Sequence, residues 1–341
     1  MFMIEIDGSK GEGGGQILRT ATALSVIAQK PVHVFNIRKN RPQPGLKTQH
    51  LEGICALSDF CGAKLEGARI GSTEIKLIPG NEFKKELNIK IPTAGSIGLL
   101  FQTLKLPLAF AGHPVTVNVE GGGTFNKWAP PVPYTQNVLL PVLRMMGYNA
   151  EIEIERHGFY PKGGARARIT VQSCKKLRPL RLESFEKPKT INGLSLASEH
   201  LAKARVAERQ KESVIKLLGT AYDVRIKKEY AVASSPGSGI VLWSKTFGAD
   251  GLGERGMPAE TVGKQAVADI VKTIRAKASV DEHLCDQLIP FMSLAEGESA
   301  ITASSITAHS ETNMWVIKQF LDVEFRVEKG SSNVTVFCSG K

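Results

Sequence analysis

The stretch DGSKGEGGGQILRT, residues 7–20, surrounds a single central carboxylate, Glu12, with Gly8, Gly11, Gly13, Gly14 and Gly15. Glycines let backbone N–H groups close on a phosphate, and a helix that follows adds its positive N-terminal end. No lysine follows at the phosphate-loop spacing, and an acid in the loop repels phosphate unless a divalent cation lies between them. Glu12 with Mg²⁺ or Mn²⁺ and a nucleotide is one coherent reading. A tight turn carrying a solvated glutamate is the other.

Three further groups carry chemistry. IRKNRPQPGLKTQH places Arg38, Lys39, Arg41, Lys47 and His50 in one turn and the helix start behind it. Arginine forks match phosphate oxygens, so this is either a polyphosphate or RNA-phosphate site or a basic surface loop. GGGTFNKWAPP (121–131) and RHGFYPKGG (156–164) set Phe125, Trp128, Phe159 and Tyr160 beside basic residues. Stacking plus charge holds single-stranded nucleic acid; rings that cap the core are the alternative. In AHSETNMW (308–315), His309 stands between a strand-like and a helical segment, with Asn313 four residues on. A histidine there is a nucleophile if an acceptor orients its other nitrogen, and a structural residue otherwise.

These groups need elements to position them. MIEID reads as a strand, GQILRTATALSVIAQ as a helix and PVHVFNI as an alternating strand. A second helix is expected at about 46–61, where Leu51, Ile54, Leu57 and Cys61 keep helical spacing and Gly62 is a stop. A similar unit recurs: Gly95-Ser96-Ile97 echoes Gly15-Gln16-Ile17, and Pro114-Val115 echoes Pro31-Val32. A third copy is expected from 281 onward, as helix, glycine, strand, then helix and strand again. Repetition of one α/β unit predicts a large α/β (α+β) domain formed by 1–183 and 277–341. Residues 184–276 break the pattern and read as a small inserted α/β domain, with a charged amphipathic helix over EHLAKARVAERQKESVIKLLG.

The chain has 341 residues and a net charge of +11, which points either to a polyanionic partner, nucleic acid first and anionic small molecules second, or to a basic housekeeping enzyme whose charge only aids solubility. Its five cysteines are odd in number and form no CxxC pair, so neither a disulfide framework nor a zinc site is expected. That fits a reducing cytoplasm. No basic-then-apolar leader opens the sequence, and no apolar run is long enough to span a membrane.

GEGGGQILRT, RPQPGLKTQH, GSIGLLFQT, RHGFYPKGG, HLCDQL and AHSETN occur in that order. Together they resemble the signature blocks of the RNA 3′-terminal phosphate cyclase family, from about residue 5 to 325. The resemblance implies three repeated βαβαββ-type units, like the C-terminal domain of translation initiation factor 3, around a common axis. The architecture is similar to enolpyruvylshikimate-phosphate synthase. It implies that His309 attacks the α-phosphate of ATP to give a covalent histidine–AMP. The adenylate then passes to the 3′-phosphate of an RNA, and the 2′-OH closes a 2′,3′-cyclic phosphate. Glu12 matches the catalytic, metal-associated acid, for Mg²⁺ or Mn²⁺. Gln102 and the segment His283, Leu284, Cys285, Asp286 and Gln287 match ATP-binding blocks. Arg19, Arg38, Arg41 and His50 match basic positions lining the site. Partners implied are ATP and RNA with a 3′-phosphate end, without a membrane, in a homodimer or higher homo-oligomer. His283 replaces the aromatic residue of many relatives, and Ser310-Glu311 is a polar pair where some are apolar. A non-catalytic cyclase-like protein of ribosome assembly and an enolpyruvyl-type transferase are the alternatives; the former lacks the histidine kept here.

Overall fold

A computed structural model describes residues 2–340. The first unit runs β1 (Ile4–Asp7), α1 (Gly15–Ala28), β2 (Val32–Phe35), α2 (Thr48–Cys61), β3 (Lys64–Glu66) and β4 (Ile75–Ile78). Alternation buries Val32 and Val34 on one face of β2. Helix α1 buries Ile17, Leu18, Ala21 and Leu24 at helical spacing. Gly62 ends α2 in the left-handed region, with φ 64°, where glycine escapes the Cβ penalty.

The second unit follows as β5 (Glu86–Ser96), α3 (Ile97–Ala109) and β6 (Val115–Gly123). Next comes a helix of three parts, α4 (Val132–Tyr134), a π-turn (Thr135–Leu139) and α5 (Leu140–Met145), then β7 (Ala150–Arg156) and β8 (Arg166–Val171). The third unit opens with a two-residue strand, β9 (Arg181–Leu182). It resumes only after an insert of β10 (Thr190–Ser198), α6 (Val206–Leu218), β11 (Asp223–Ala231), β12 (Ser238–Trp243), β13 (Gly248–Leu252) and α7 (Ala259–Arg275). It then continues as α8 (Glu282–Met292), β14 (Glu298–Ala303), α9 (Ala308–Phe320), β15 (Glu324–Lys329) and β16 (Val334–Ser339). The third unit therefore begins about a hundred residues before the position expected from the sequence. Its first strand is cut off from the rest by the insert.

The three units share one topology. Their sheets run β1-β2-β4-β3, β5-β6-β8-β7 and β9-β14-β16-β15. Strands one and two are parallel and the others antiparallel in each. The first helices of the units, α1, α3 and α8, converge, and Arg19, Gln102, Lys105 and Gln287 line one small cavity between them. One hydrophobic core spans all three units. The insert's sheet, ordered β11-β10-β12-β13, has its own core of Ile191, Val214, Ile240, Val262 and Ile270.

Two local expectations change. The insert's helix starts at Val206, not near 199. Strand β10 runs to Ser198, a 3₁₀ turn follows at Glu199–Leu201, and Arg205 sits at φ 52°, outside the helical region. The hydroxyl of Tyr230 then accepts the Ala207 N–H at 3.2 Å, one of the orphan donors of a helix start. The four loop aromatics also divide. Phe125 and Phe159 are buried and stack on each other, whereas Trp128 and Tyr160 are exposed. Among the described residues no helix is long and apolar enough to cross a membrane, and all five cysteines are free.

Candidate active site

The glycines of the first loop are required by what surrounds them. Gly11 (φ 56°) and Gly13 (φ 62°) adopt left-handed backbone. A Cβ on Gly14 would stand 2.1 Å from the Glu12 carboxylate, and one on Gly15 would stand 2.4 Å from His50 Nε2. The loop thus folds Glu12 back over the start of α1 and lets His50 approach the same point. Helix α1 begins at Gly15 without a side-chain cap. Its first N–H groups and its dipole are left for an anion.

Helix α9 brings the nucleophile candidate to this place. Thr307 caps α9, its hydroxyl accepting the N–H groups of His309 (3.0 Å) and Ser310 (3.1 Å). That hydroxyl donates to Asp286 Oδ1 at 2.6 Å, and Ser310 Oγ donates to the same oxygen at 2.5 Å. Asp286 therefore clamps the start of α9. His309 Nδ1 lies 3.8 Å from Glu12 Oε2. Neither atom is accessible to water or hydrogen-bonded. Burial, then the charges of Arg19, His283 and Arg41, hold the His309 pKa below its ordinary value. The ring is thus neutral near pH 7 and keeps a lone pair for attack. Asn313 joins the two helices: Gln16 Nε2 (3.0 Å) and Thr20 Oγ1 (2.7 Å) donate to its Oδ1, and its Nδ2 donates to the Asp286 carbonyl at 2.8 Å.

Basic groups close the other sides. Arg41 forms an ion pair with Glu12 Oε1 and donates to the Glu12 carbonyl. His50 Nδ1 accepts the Lys47 N–H at 3.2 Å, so the neutral ring carries its proton on Nε2, facing Gly15. Burial, with Arg19, Arg38 and Lys47 nearby, depresses the His50 pKa to about 3. Arg19 Nε, Arg38 Nη1 and Gln102 Oε1 are also buried without partners. Five of the residues expected at the site, Glu12, Arg19, Arg38, Gln102 and His309, thus carry polar atoms awaiting partners. Such atoms are costly unless a ligand pairs with them.

The structure brings together Glu12, Arg19, Arg41, His50, Gln102, Asp286, Gln287 and His309, with Arg38 close enough to act on His50. His283 is exposed at the start of α8 and lies near enough to bias His309. The side chains of Leu284 and Cys285 are not brought to this point: both are 0% exposed and packed in the core. Successive helical residues turn by about 100°, so a five-residue block cannot face one ligand. Ser310 is buried against Asp286, which accounts for its polarity, and Glu311 is exposed. Three contributors escaped the sequence reading. Thr307 was legible as a threonine preceding a helix, and Gln16 as the helical neighbour of Thr20. Lys105, in an apolar run, gave no signal.

Comparison with known proteins gives the family of the chain. A family model described as RNA 3′-terminal phosphate cyclase matches residues 10–327. An RNA 3′-terminal phosphate cyclase of Thermococcus kodakarensis is 44% identical over 334 residues, 96% of this chain and 95% of that protein. Those of Methanosarcina barkeri and Archaeoglobus fulgidus are each 45% identical, over 96% and 94% of this chain and 97% and 96% of theirs. Among solved structures, the enolpyruvyl transferase NikO from Streptomyces tendae matches with a TM-score of 0.39 and 9% identity, covering all of this chain and 49% of that one. With a family model matched over residues 10–327 and relatives 44–45% identical over nearly all of its length, the chain belongs to the RNA 3′-terminal phosphate cyclase family of enzymes.

Proposed function

We propose that the chain converts an RNA 3′-terminal phosphate to a 2′,3′-cyclic phosphodiester at the expense of ATP, through histidine–AMP and RNA–adenylate intermediates. The observation that carries this is the unpartnered His309 Nδ1, 3.8 Å from the unpartnered Glu12 Oε2, at the uncapped start of α1.

With Nδ1 turned to Glu12, Nε2 is the nitrogen left to attack. It forms a bond to the α-phosphorus of ATP, and the bond to the bridging oxygen breaks as pyrophosphate leaves. The RNA 3′-phosphate oxygen next attacks that phosphorus and releases His309, giving a diphosphate linkage between RNA and AMP. The 2′-OH then attacks the RNA phosphorus, AMP departs, and the hydroxyl proton is lost. Adenylation is needed because the oxygens of a phosphate monoester are poor leaving groups, and the covalent step divides one hard reaction into easier ones. Arg19, Arg38, Arg41 and the His50 Nε2–H face the phosphates and offset charge as it develops. Gln102 and Gln287 serve the nucleotide from α3 and α8.

Glu12 Oε2 fits as one ligand of a divalent cation. Among the described residues no group of three acidic, histidine or cysteine side chains gathers there, so phosphate oxygens and water would complete the shell. Such a cation would neutralise triphosphate charge. We assign catalysis to residues 1–183 with 277–341, and 184–276 to the insert.

The test is one RNA with either a 3′-phosphate or a 3′-OH end, incubated with ATP and metal. The phosphate-ended RNA is expected to acquire a terminus resistant to phosphatase, and the hydroxyl-ended RNA cannot. Absence of any protected terminus would refute the reading.

A further inference from the structure

We propose that Trp128 and Tyr160 form an exposed stacking platform for bases of the RNA strand leading to the reactive 3′ end. The assignment rests on the cyclase reading above for the identity of the strand.

Each of the two loops carries one buried and one exposed aromatic residue. Phe125 and Phe159 stack with centroids 6.2 Å apart. The Thr124 N–H donates to the Gly158 carbonyl at 2.9 Å, and Thr124 Oγ1 pairs with His157 Nδ1 at 2.9 Å. This junction holds Trp128 at 94% exposure and Tyr160 at 78%. The insert presses on it from behind. A Cβ on Gly237 would meet the Phe159 ring at 2.3 Å, and one on Gly239 the Phe125 ring at 2.5 Å. Lys127 reaches the insert's Glu254 at 2.7 Å.

Trp128 sits at φ 58°, a costly conformation for a bulky side chain. A large ring held in water on a tied-down, strained loop serves neither folding nor solubility. Nucleobases suit it, because each offers a face to stack on and the strand brings negative charge. Lys127 Nζ lies 5.8 Å from the Trp128 ring centroid. Lys162 is exposed beside Tyr160 and has no carboxylate within salt-bridge distance among the described residues. Lys162 suits a phosphate backbone, whereas Lys127 is held by Glu254 against the ring.

The platform adjoins the site. Asn126 Nδ2 donates to the Ala94 carbonyl at 2.7 Å, and a Cβ on Gly98 would stand 2.4 Å from the Pro130 carbonyl. Gly98 and Gln102 lie four residues apart on α3, on one face and about 6 Å apart along its axis. The ring is open on nearly all sides, so it lacks the second wall that a nucleotide pocket needs. A passing strand fits better than ATP.

The test uses the full-length protein and Trp128→Ala, Trp128→Phe and Tyr160→Ala. Two measurements are made: the Kd for a fluorescent 3′-phosphate oligoribonucleotide without ATP, and labelling of His309 by ATP without RNA. Trp128→Ala is expected to weaken RNA binding by about 5- to 100-fold, with Trp128→Phe recovering most of it. Labelling by ATP alone should stay at the wild-type level, with an unchanged melting temperature. Unchanged RNA affinity in both alanine variants would overturn the platform. A loss confined to ATP labelling would overturn it too, by assigning the ring to the nucleotide. Wild-type protein that binds the RNA but never cyclises it would count against the cyclase reading alone.

Discussion

Thr312 Oγ1 accepts the N–H of Glu12 at 3.1 Å across 300 residues of sequence, while donating to the Ala308 carbonyl at 2.6 Å. One hydroxyl thus joins the glycine loop to the first turn of the helix carrying His309. Gly11 lets Thr312 reach the loop, since a Cβ there would stand 2.3 Å from that oxygen. Thr312→Val keeps the shape and removes the acceptor. The loop N–H then loses its partner, at about 1–3 kcal/mol. Adenylation should fall with only a small drop in melting temperature, measured side by side. Equal adenylation rates would show that Glu12 is held by other means.

Gly15 supplies a second separation of function from stability. Alanine is the better helix former, which offsets part of the cost of the shift its Cβ forces, so Gly15→Ala should change the melting temperature little. Its Cβ would drive His50 Nε2 and Arg19 Nη1 from their places, at 2.4 and 2.9 Å. A loss of adenylation on the order of 10²-fold is expected. A variant that is stable and fully active would mean that neither group needs its present position.

Glu12→Gln tests the cation. An amide is a poorer ligand for a hard divalent ion. Adenylation followed against Mg²⁺ or Mn²⁺ concentration should show a much higher requirement than wild type, and Glu12→Ala should be weaker still. A wild-type metal dependence in Glu12→Gln removes the metal role.

Lys105 makes a prediction about pH. It is 5% exposed, and its Nζ donates to Gln287 Oε1 at 3.1 Å. Burial, with a smaller contribution from the Arg19 charge, lowers its pKa to about 7 from 10.5. Below pH 7 the lysine is charged whether folded or not, and the cost of burying the charge opposes folding in full. Between about 7 and 10.5 only the unfolded chain holds the proton, so stability rises with pH. Lys105→Met should therefore gain stability relative to wild type at pH 6.5, and the gain should shrink at pH 9. Urea midpoints at both values measure it; a difference independent of pH contradicts the assignment.

Much of this was legible in the sequence, for physical reasons. Gly62 stops α2, and strands β2 and β6 start directly after the prolines paired as echoes, because local periodicity and backbone freedom set those boundaries. The glycine loop and the histidine helix stood out as residue types, but it was the order of separated motifs, not their spacing, that pointed to a nucleotide and a nucleophile. The meeting of loop and helix was not legible, since it depends on three repeats closing on one another. The severed strand β9 has only two residues, too short for alternation to register. Phe125 and Trp128 look alike in sequence; the insert's Gly239, over a hundred residues on, covers one of them. Leu284 and Cys285 travelled with their block because resemblance is read along the chain and burial around the helix.

The most direct measurement is covalent labelling with α-labelled ATP and divalent metal, followed by denaturing electrophoresis. A neutral His309 beside Glu12 predicts an adduct that is labile in acid and stable in base, as a phosphoramidate is. His309→Ala should abolish it while folding normally, because no other side chain holds that position. Full labelling of folded His309→Ala, or no adduct on the wild-type protein under conditions where it cyclises RNA, would contradict the account.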